Sequence, residues 1–121
     1  MIDSPLMLAY LGDAVMEVLV RKHLIATCKS SAECNKKALD FVTADSQSKA
    51  VRRHLDDLTP EERDLFTRAK NAKANSAPRN IDVYSYRLAT GIEAVFGYNA
   101  LMGREVRNEE LFKILFLTDK S

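Results

Sequence analysis

Apolar residues recur at helical spacing along most of the 121 positions, and no stretch alternates apolar with polar as a half-buried strand would. From about Pro5 to Ile25, Leu6, Leu8, Tyr10, Leu11, Val15, Met16, Val18, Leu19 and Val20 leave almost no polar face. A helix apolar nearly all round is buried on more than one side. In a chain this short, that predicts either the centre of a bundle or a dimer interface built around Tyr10 to Val18. Ser30-Ser31-Ala32-Glu33 reads as a capping box and opens a second helix. A third spans about Ala44 to Leu55. Thr59-Pro60-Glu61-Glu62 combines a Thr cap, Pro at the first position and Glu at the third, and starts a helix to about Ala69. Asp82 caps a long helix over about Val83 to Met102, which Gly103 terminates, and a last helix covers about Asn108 to Leu117. The expected fold class is all-α, in one domain over residues 1–121.

Within this pattern two carboxylates stand out, because each sits among small residues in an otherwise apolar helix. Asp13 lies in Leu11-Gly12-Asp13-Ala14-Val15 and Glu93 in Thr90-Gly91-Ile92-Glu93-Ala94. A lone charged carboxylate in such a setting is costly unless it is paired or binds a cation. Gly inside a helix costs up to about 1 kcal/mol relative to Ala. The stripe Gly91, Ala94 and Gly97, and the smooth patch Gly12 and Ala14, therefore predict helices that approach backbone to backbone. Such a crossing brings Asp13 and Glu93 together to share one metal ion. The bland alternative for each acid is a buried hydrogen bond between helices.

Composition narrows the class. Hydrophobic residues make up 46% and charged residues 29%, as in an ordinary globular domain. No apolar run approaches the roughly 20 residues of a membrane span. The opening Met1-Ile2-Asp3-Ser4 lacks the basic segment of a signal peptide, so the expected location is the cytoplasm, or an organelle stroma in a plant. Two cysteines, Cys28 and Cys34, are too few for a disulfide scaffold. With His23 and His54 they fit no usual zinc spacing, and reduced structural thiols are the expectation.

The net charge of +1 favours no partner, but its distribution does. Arg68, Lys70, Lys73, Arg79 and Arg87 face a single acid, Asp82, between positions 68 and 87. Much of this charge falls in Asn71-Ala72-Lys73-Ala74-Asn75-Ser76-Ala77-Pro78-Arg79-Asn80, a small, polar segment without an apolar period and so an expected exposed loop. It reads either as a solvated linker or as a phosphate-binding segment. Glu17, one turn after Asp13 on the same face, is a candidate supporting acid for the metal or the partner of Arg21 or Arg87.

Leu8-Ala9-Tyr10-Leu11-Gly12-Asp13-Ala14-Val15 resembles the signature helix of the ribonuclease III fold, and Thr90-Gly91-Ile92-Glu93-Ala94-Val95-Phe96-Gly97-Tyr98 resembles that family's second catalytic helix. Val42-Thr43-Ala44-Asp45-Ser46-Gln47-Ser48 and Lys70-Asn71-Ala72-Lys73 are similar to segments of one branch, mini-ribonuclease III. The resemblance covers nearly the whole chain. It implies a ribonuclease III-type helical endonuclease domain, homodimeric, that cuts double-stranded RNA with Mg²⁺ (Mn²⁺ as a substitute). The products carry 5′-phosphate and 3′-hydroxyl ends. It implies Asp13 and Glu93 as the catalytic and metal-binding pair; the local positive charge and polar side chains then make Lys70, Asn71, Lys73 and Arg79 the expected RNA contacts, with Glu17 and Thr90 as candidate supporting groups. It also implies no separate double-stranded-RNA-binding domain, a large-subunit (23S-type) ribosomal RNA precursor as substrate, and a ribosomal protein as a further candidate partner. Two positions that are acidic in full-length ribonuclease III are Ala9 and Thr90 here, as in the mini branch, and Asn35 stands where that branch often has His. The competing expectation is a non-catalytic module of the same fold that binds RNA or ribosomes. Retention of both Asp13 and Glu93 weighs against it.

Overall fold

The computed structural model describes residues 4–72 and 82–118, and among these every regular element is helical. Six α-helices follow in order: α1 (Pro5–Ile25), α2 (Ser31–Val42), α3 (Ala44–Arg53), α4 (Pro60–Asn71), α5 (Val83–Leu101) and α6 (Glu105–Phe112). A 3₁₀ turn (Leu55–Asp57) joins α3 to α4, and a π-helical turn (Lys113–Leu117) extends α6.

Most starts follow the cap chemistry. The Thr59 hydroxyl accepts from the Glu62 backbone N–H at 3.1 Å, and the Glu62 carboxylate accepts from Thr59 N–H at 2.9 Å. Asp82 caps α5 through Ser85 N–H at 3.1 Å, and Gly103 follows the helix with φ of +72°. At α2 only half of the expected box forms. Ser30 accepts from Glu33 N–H, but the Glu33 carboxylate reaches Lys29 N–H instead of the cap's own. The third helix ends at Arg53, two residues early, because His54 N–H turns back onto the Val51 carbonyl and the chain tightens into the 3₁₀ turn. The last helix begins at Glu105, three residues early. Asn108 is an interior residue of it, buried, with its side-chain amide donating to the Phe96 carbonyl of α5 at 3.0 Å.

Helix α5 is the axis of the molecule and packs against α1, α3, α4 and α6. Ile92, Ala94, Val95 and Phe96 have no exposed surface. The main core gathers Met16, Val20 and Leu24 of α1, Ala50 and Val51 of α3, Phe66 of α4, and Leu111, Phe112 and Leu115 around them. A smaller cluster joins Leu8, Ala9, Leu65, Ala69 and Ala94.

The α1–α5 crossing is a backbone contact. A Cβ on Gly12 would fall 1.6 Å from the Glu93 carbonyl oxygen, and a Cβ on Gly97 would fall 2.0 Å from the Leu8 carbonyl oxygen. The expected smooth stripes are thus split. Gly12 and Gly97 face one another's helices, Gly91 lies instead against the Phe66 ring of α4, and Ala14 faces solvent.

A buried ion pair locks α4 and α6 together. Glu62 is 3% exposed and accepts from Arg107 at 2.7 and 2.9 Å and from the Asn99 amide at 3.0 Å. Arg107 also donates to the Asp57 carbonyl at 3.0 Å. Burial alone would raise the Glu62 carboxyl, but the Arg107, Thr59 and Asn99 donors outweigh it and hold the group at about 2.

Gly12→Ala and Gly97→Ala cannot be absorbed by a side-chain shift, since the obstructing atoms are main chain. Each is expected to lower stability by about 3 kcal/mol or more, at the upper end of overpacking costs. Urea midpoints compared with those of Ala14→Gly, at the exposed neighbour, check this. A midpoint unchanged from the native chain for either glycine variant contradicts the crossing.

Candidate active site

Helix geometry explains how Asp13 and Glu93 meet. Gly12 is buried against the main chain at Glu93, so the next residue, rotated by about 100°, emerges at the edge of the crossing. Glu93 stands on the facing edge of α5. The two carboxyl groups are within hydrogen-bonding reach of each other. Their surroundings differ more than the sequence suggests. Asp13 is exposed, whereas Glu93 is half-buried on the central helix.

Burial, the Asp13 charge and the hydrogen bond to Asp13 together raise the Glu93 carboxyl to about 8. Two carboxyl groups facing each other under partial burial repel when both are ionised. A divalent cation relieves the same repulsion. The donors also suit Mg²⁺, which takes oxygen ligands, keeps several waters and needs only one or two carboxylates beside substrate phosphate. Among the described residues, no group of three or more His, Cys, Asp and Glu is arranged to hold a metal.

The remaining candidates are placed unequally. The Thr90 hydroxyl donates to the Tyr86 carbonyl at 3.0 Å, one turn back on α5, and Thr90 is 9% exposed. Glu17 pairs with Arg21 at 3.2 Å on the surface of α1, which selects Arg21 over Arg87 as its partner. Lys70 and Asn71 end α4, whose Leu65 and Ala69 pack on Leu8, Ala9 and Ala94 beside the two acids. Lys73 and Arg79 lie outside the described residues, as does most of the expected loop. Arg68 is tied to Asp64 at 3.2 Å.

Part of α1 that the sequence left without a partner faces solvent. Met7, Tyr10, Ala14, Val18 and Ile25 are exposed, at spacings of three, four, four and seven residues, so they form one stripe. Tyr10 is 79% and Ile25 71% exposed. The stripe is longer than the expected Tyr10 to Val18 patch at both ends. No helix among the described residues is long and apolar enough to cross a membrane.

Comparison with known proteins places the fold. Residues 6–104 match the family model described as the ribonuclease III domain. A Mini-ribonuclease 3 of Clostridium tetani is 40% identical over 114 residues, covering 93% of this chain and 76% of that protein. A Mini-ribonuclease 3 of Staphylococcus aureus is 36% identical over 121 residues, covering 97% of this chain and 90% of that protein. The crystal structure of protein FN1578 from Fusobacterium nucleatum superposes with a TM-score of 0.82 at 33% identity, over 93% of this chain and 90% of that one.

The paired acids give a pH signature in metal-free buffer. Glu93 binds its proton near 4.5 when unfolded and near 8 when folded. The folded chain therefore holds more protons in between, and the stability this group adds below pH 4.5 is lost as pH rises through 8. Asp13→Asn is expected to lower the Glu93 value while leaving it above 4.5, because burial is the largest cause. Carbon-13 NMR titration of the Glu93 carboxyl in both proteins reads this directly.

Proposed function

The chain belongs to the ribonuclease III domain family, and on that premise we propose that it is an endoribonuclease cutting double-stranded RNA at Asp13 and Glu93 with Mg²⁺. The observation that carries the reading is the convergence of these two acids from helices 80 positions apart in sequence. Asp13 and Glu93 would hold the cation. When bound, Mg²⁺ supplies activation of water and neutralises charge on the phosphate oxygens.

The reaction adds water across a phosphodiester, leaving a 5′-phosphate on one product and a 3′-hydroxyl on the other. Asp13, on the open edge, is the acid that substrate can approach. Glu93, half-buried, has its position fixed by the α1–α5 contact, and its carboxyl must lose its proton before it can serve as an anionic ligand. The Thr90 hydroxyl, spending its proton on Tyr86, can offer only its oxygen toward the site. Lys70 and Asn71 would contact RNA phosphates and 2′-hydroxyls from the end of α4, continued by Lys73 and Arg79. Duplex RNA hides its base faces, so contacts of this kind suit it better than aromatic stacking. The proposed natural substrate is the 23S-type ribosomal RNA precursor that the resemblance implies.

The exposed apolar stripe on α1 supports a homodimer. A flat run of Met, Tyr, Val and Ile on a helix that also carries Asp13 pairs with its own copy about a two-fold axis, and the two sites then lie along one RNA duplex, one for each strand.

Asp13→Asn and Glu93→Gln are each expected to slow cleavage of labelled duplex RNA by at least about a hundredfold at saturating enzyme, with an unchanged fold by circular dichroism. Near-native rates in either folded variant sink the assignment. A native chain that binds duplex RNA but never cuts it, with Mg²⁺ or Mn²⁺, points to the non-catalytic module instead.

Sedimentation equilibrium at micromolar concentration is expected to give a dimer, and Tyr10→Glu with Val18→Glu a monomer. A native chain that stays monomeric refutes the two-fold pairing.

A further inference from the structure

We propose that Arg52 and Arg87 form a phosphate-binding platform around Tyr84, which grips the backbone of duplex RNA away from the two acids. The proposal rests on the RNA-cutting role argued above. The arginines of this chain divide by their partners. Arg21, Arg63, Arg68, Arg104 and Arg107 each pair with a carboxylate. Arg52 and Arg87 are exposed, and neither pairs with a carboxylate among the described residues. Glu17, a possible partner for Arg87 by sequence, is taken by Arg21.

Neutral groups hold the Arg52 guanidinium in place. It lies over the Tyr84 ring, 5.7 Å from the centroid, and its Nη2 donates to the buried Ser48 hydroxyl at 3.0 Å. Neither contact cancels its charge, and most of its N–H groups stay free. Tyr84 and Arg87 are three residues apart on α5, so Arg87 stands beside the ring on the same face. Nearby acids are engaged elsewhere. Asp82 accepts from the Ser85 N–H and hydroxyl at 3.1 and 3.3 Å, and Asp45 pairs with Lys49 at 3.0 Å. A positioned guanidinium fork matches two oxygens of one phosphate. With Arg52 over its ring, Tyr84 presents charge instead of an open stacking surface, which suits a duplex whose base faces are hidden.

The platform sits at the end of the bundle that carries Lys70 and Asn71. Glu62 meets Asn99 at 3.0 Å, and Phe66 packs against Gly91, so α4 runs antiparallel to α5. The last turn of α4 therefore lies alongside the first turns of α5, which hold Tyr84 and Arg87. Arg87 precedes Glu93 by six residues, about 9 Å along the helix axis. Phosphates a few nucleotides from the cut are the ones such a platform would meet.

Binding of a fluorescently labelled RNA duplex is titrated by anisotropy in metal-free buffer, where the duplex stays intact, across a series of KCl concentrations. Arg52→Gln and Arg87→Gln are each expected to raise Kd roughly fivefold for any duplex sequence, and to flatten the slope of log K against log salt by about one. Arg63→Gln removes the same charge where Asp56 already balances it, and is expected to bind as the native chain does. Arg87→Gln breaks no hydrogen bond among the described residues, so it carries the test even if Arg52→Gln, which frees Ser48, melts early. Variants that match the native chain or Arg63→Gln in Kd and slope overturn the platform alone, provided that the native chain cuts duplex RNA with Mg²⁺. A native chain that binds no duplex overturns the platform as well, and if it also cuts none, the RNA-cutting role falls with it.

Discussion

Everything in this molecule that bears on its site depends on two helices touching through their main chains. With Gly12 and Gly97 at the contact, α1 and α5 approach closely enough that a single methyl group at either position would overlap a carbonyl oxygen. Close approach has a geometric consequence. Side chains adjacent to the contact cannot point into it, so they leave along its edges, and an acid on each helix then stands beside the other. The crossing sets Asp13 and Glu93 beside each other at its edge. It also fixes how deep each one sits, since Glu93 belongs to the central helix and Asp13 to an outer face of α1.

The same packing explains why α1 carries so little polar surface. One side covers α5 and the core through Leu8, Met16, Val20 and Leu24. The opposite side leaves Met7, Tyr10, Val18 and Ile25 in solvent. A solitary domain gains nothing from that second apolar face. In the proposed dimer a two-fold copy would cover this face and set the distance between two sites, so one face of α1 would place the acid and the other its spacing from the partner's.

Sequence reasoning located most of the helical frame because caps are local chemistry. Thr59 with Glu62, Asp82 with Ser85, and Ser30 with Glu33 each involve residues three apart. It found the crossing because Gly inside a helix is costly and so carries information. It was less informative where the partner is distant. Nothing around Glu62 in the sequence indicates Arg107, 45 positions on, or that Asn108 would be buried inside α6 instead of preceding it. Nor could a periodic pattern tell that Ala14 faces water while Gly12, two residues earlier, faces backbone. The helical phase is set by the contact itself, and a helix apolar nearly all round gives no clue to that phase. Lys73 and Arg79 lie outside the described residues, so their role rests on the sequence alone.

Two glutamates in this chain face opposite treatment, and the contrast separates scaffold from site. Glu62 is almost wholly buried, yet it meets a guanidinium, an amide and a main-chain N–H, which hold its carboxyl near 2. Its charge is satisfied within the fold, and it is a lock between α4 and α6. Glu93 is less buried by surface area, yet its resolved polar neighbour is another acid, and its carboxyl rises to about 8. Burial opposes ionisation in both, so among the described residues the donors around Glu62 and the acid beside Glu93 decide the sign. A fold that surrounds Glu62 with donors and sets Glu93 against Asp13 brings two carboxyl groups together at one place on its surface. Repulsion between them is what a cation, as proposed above, would relieve.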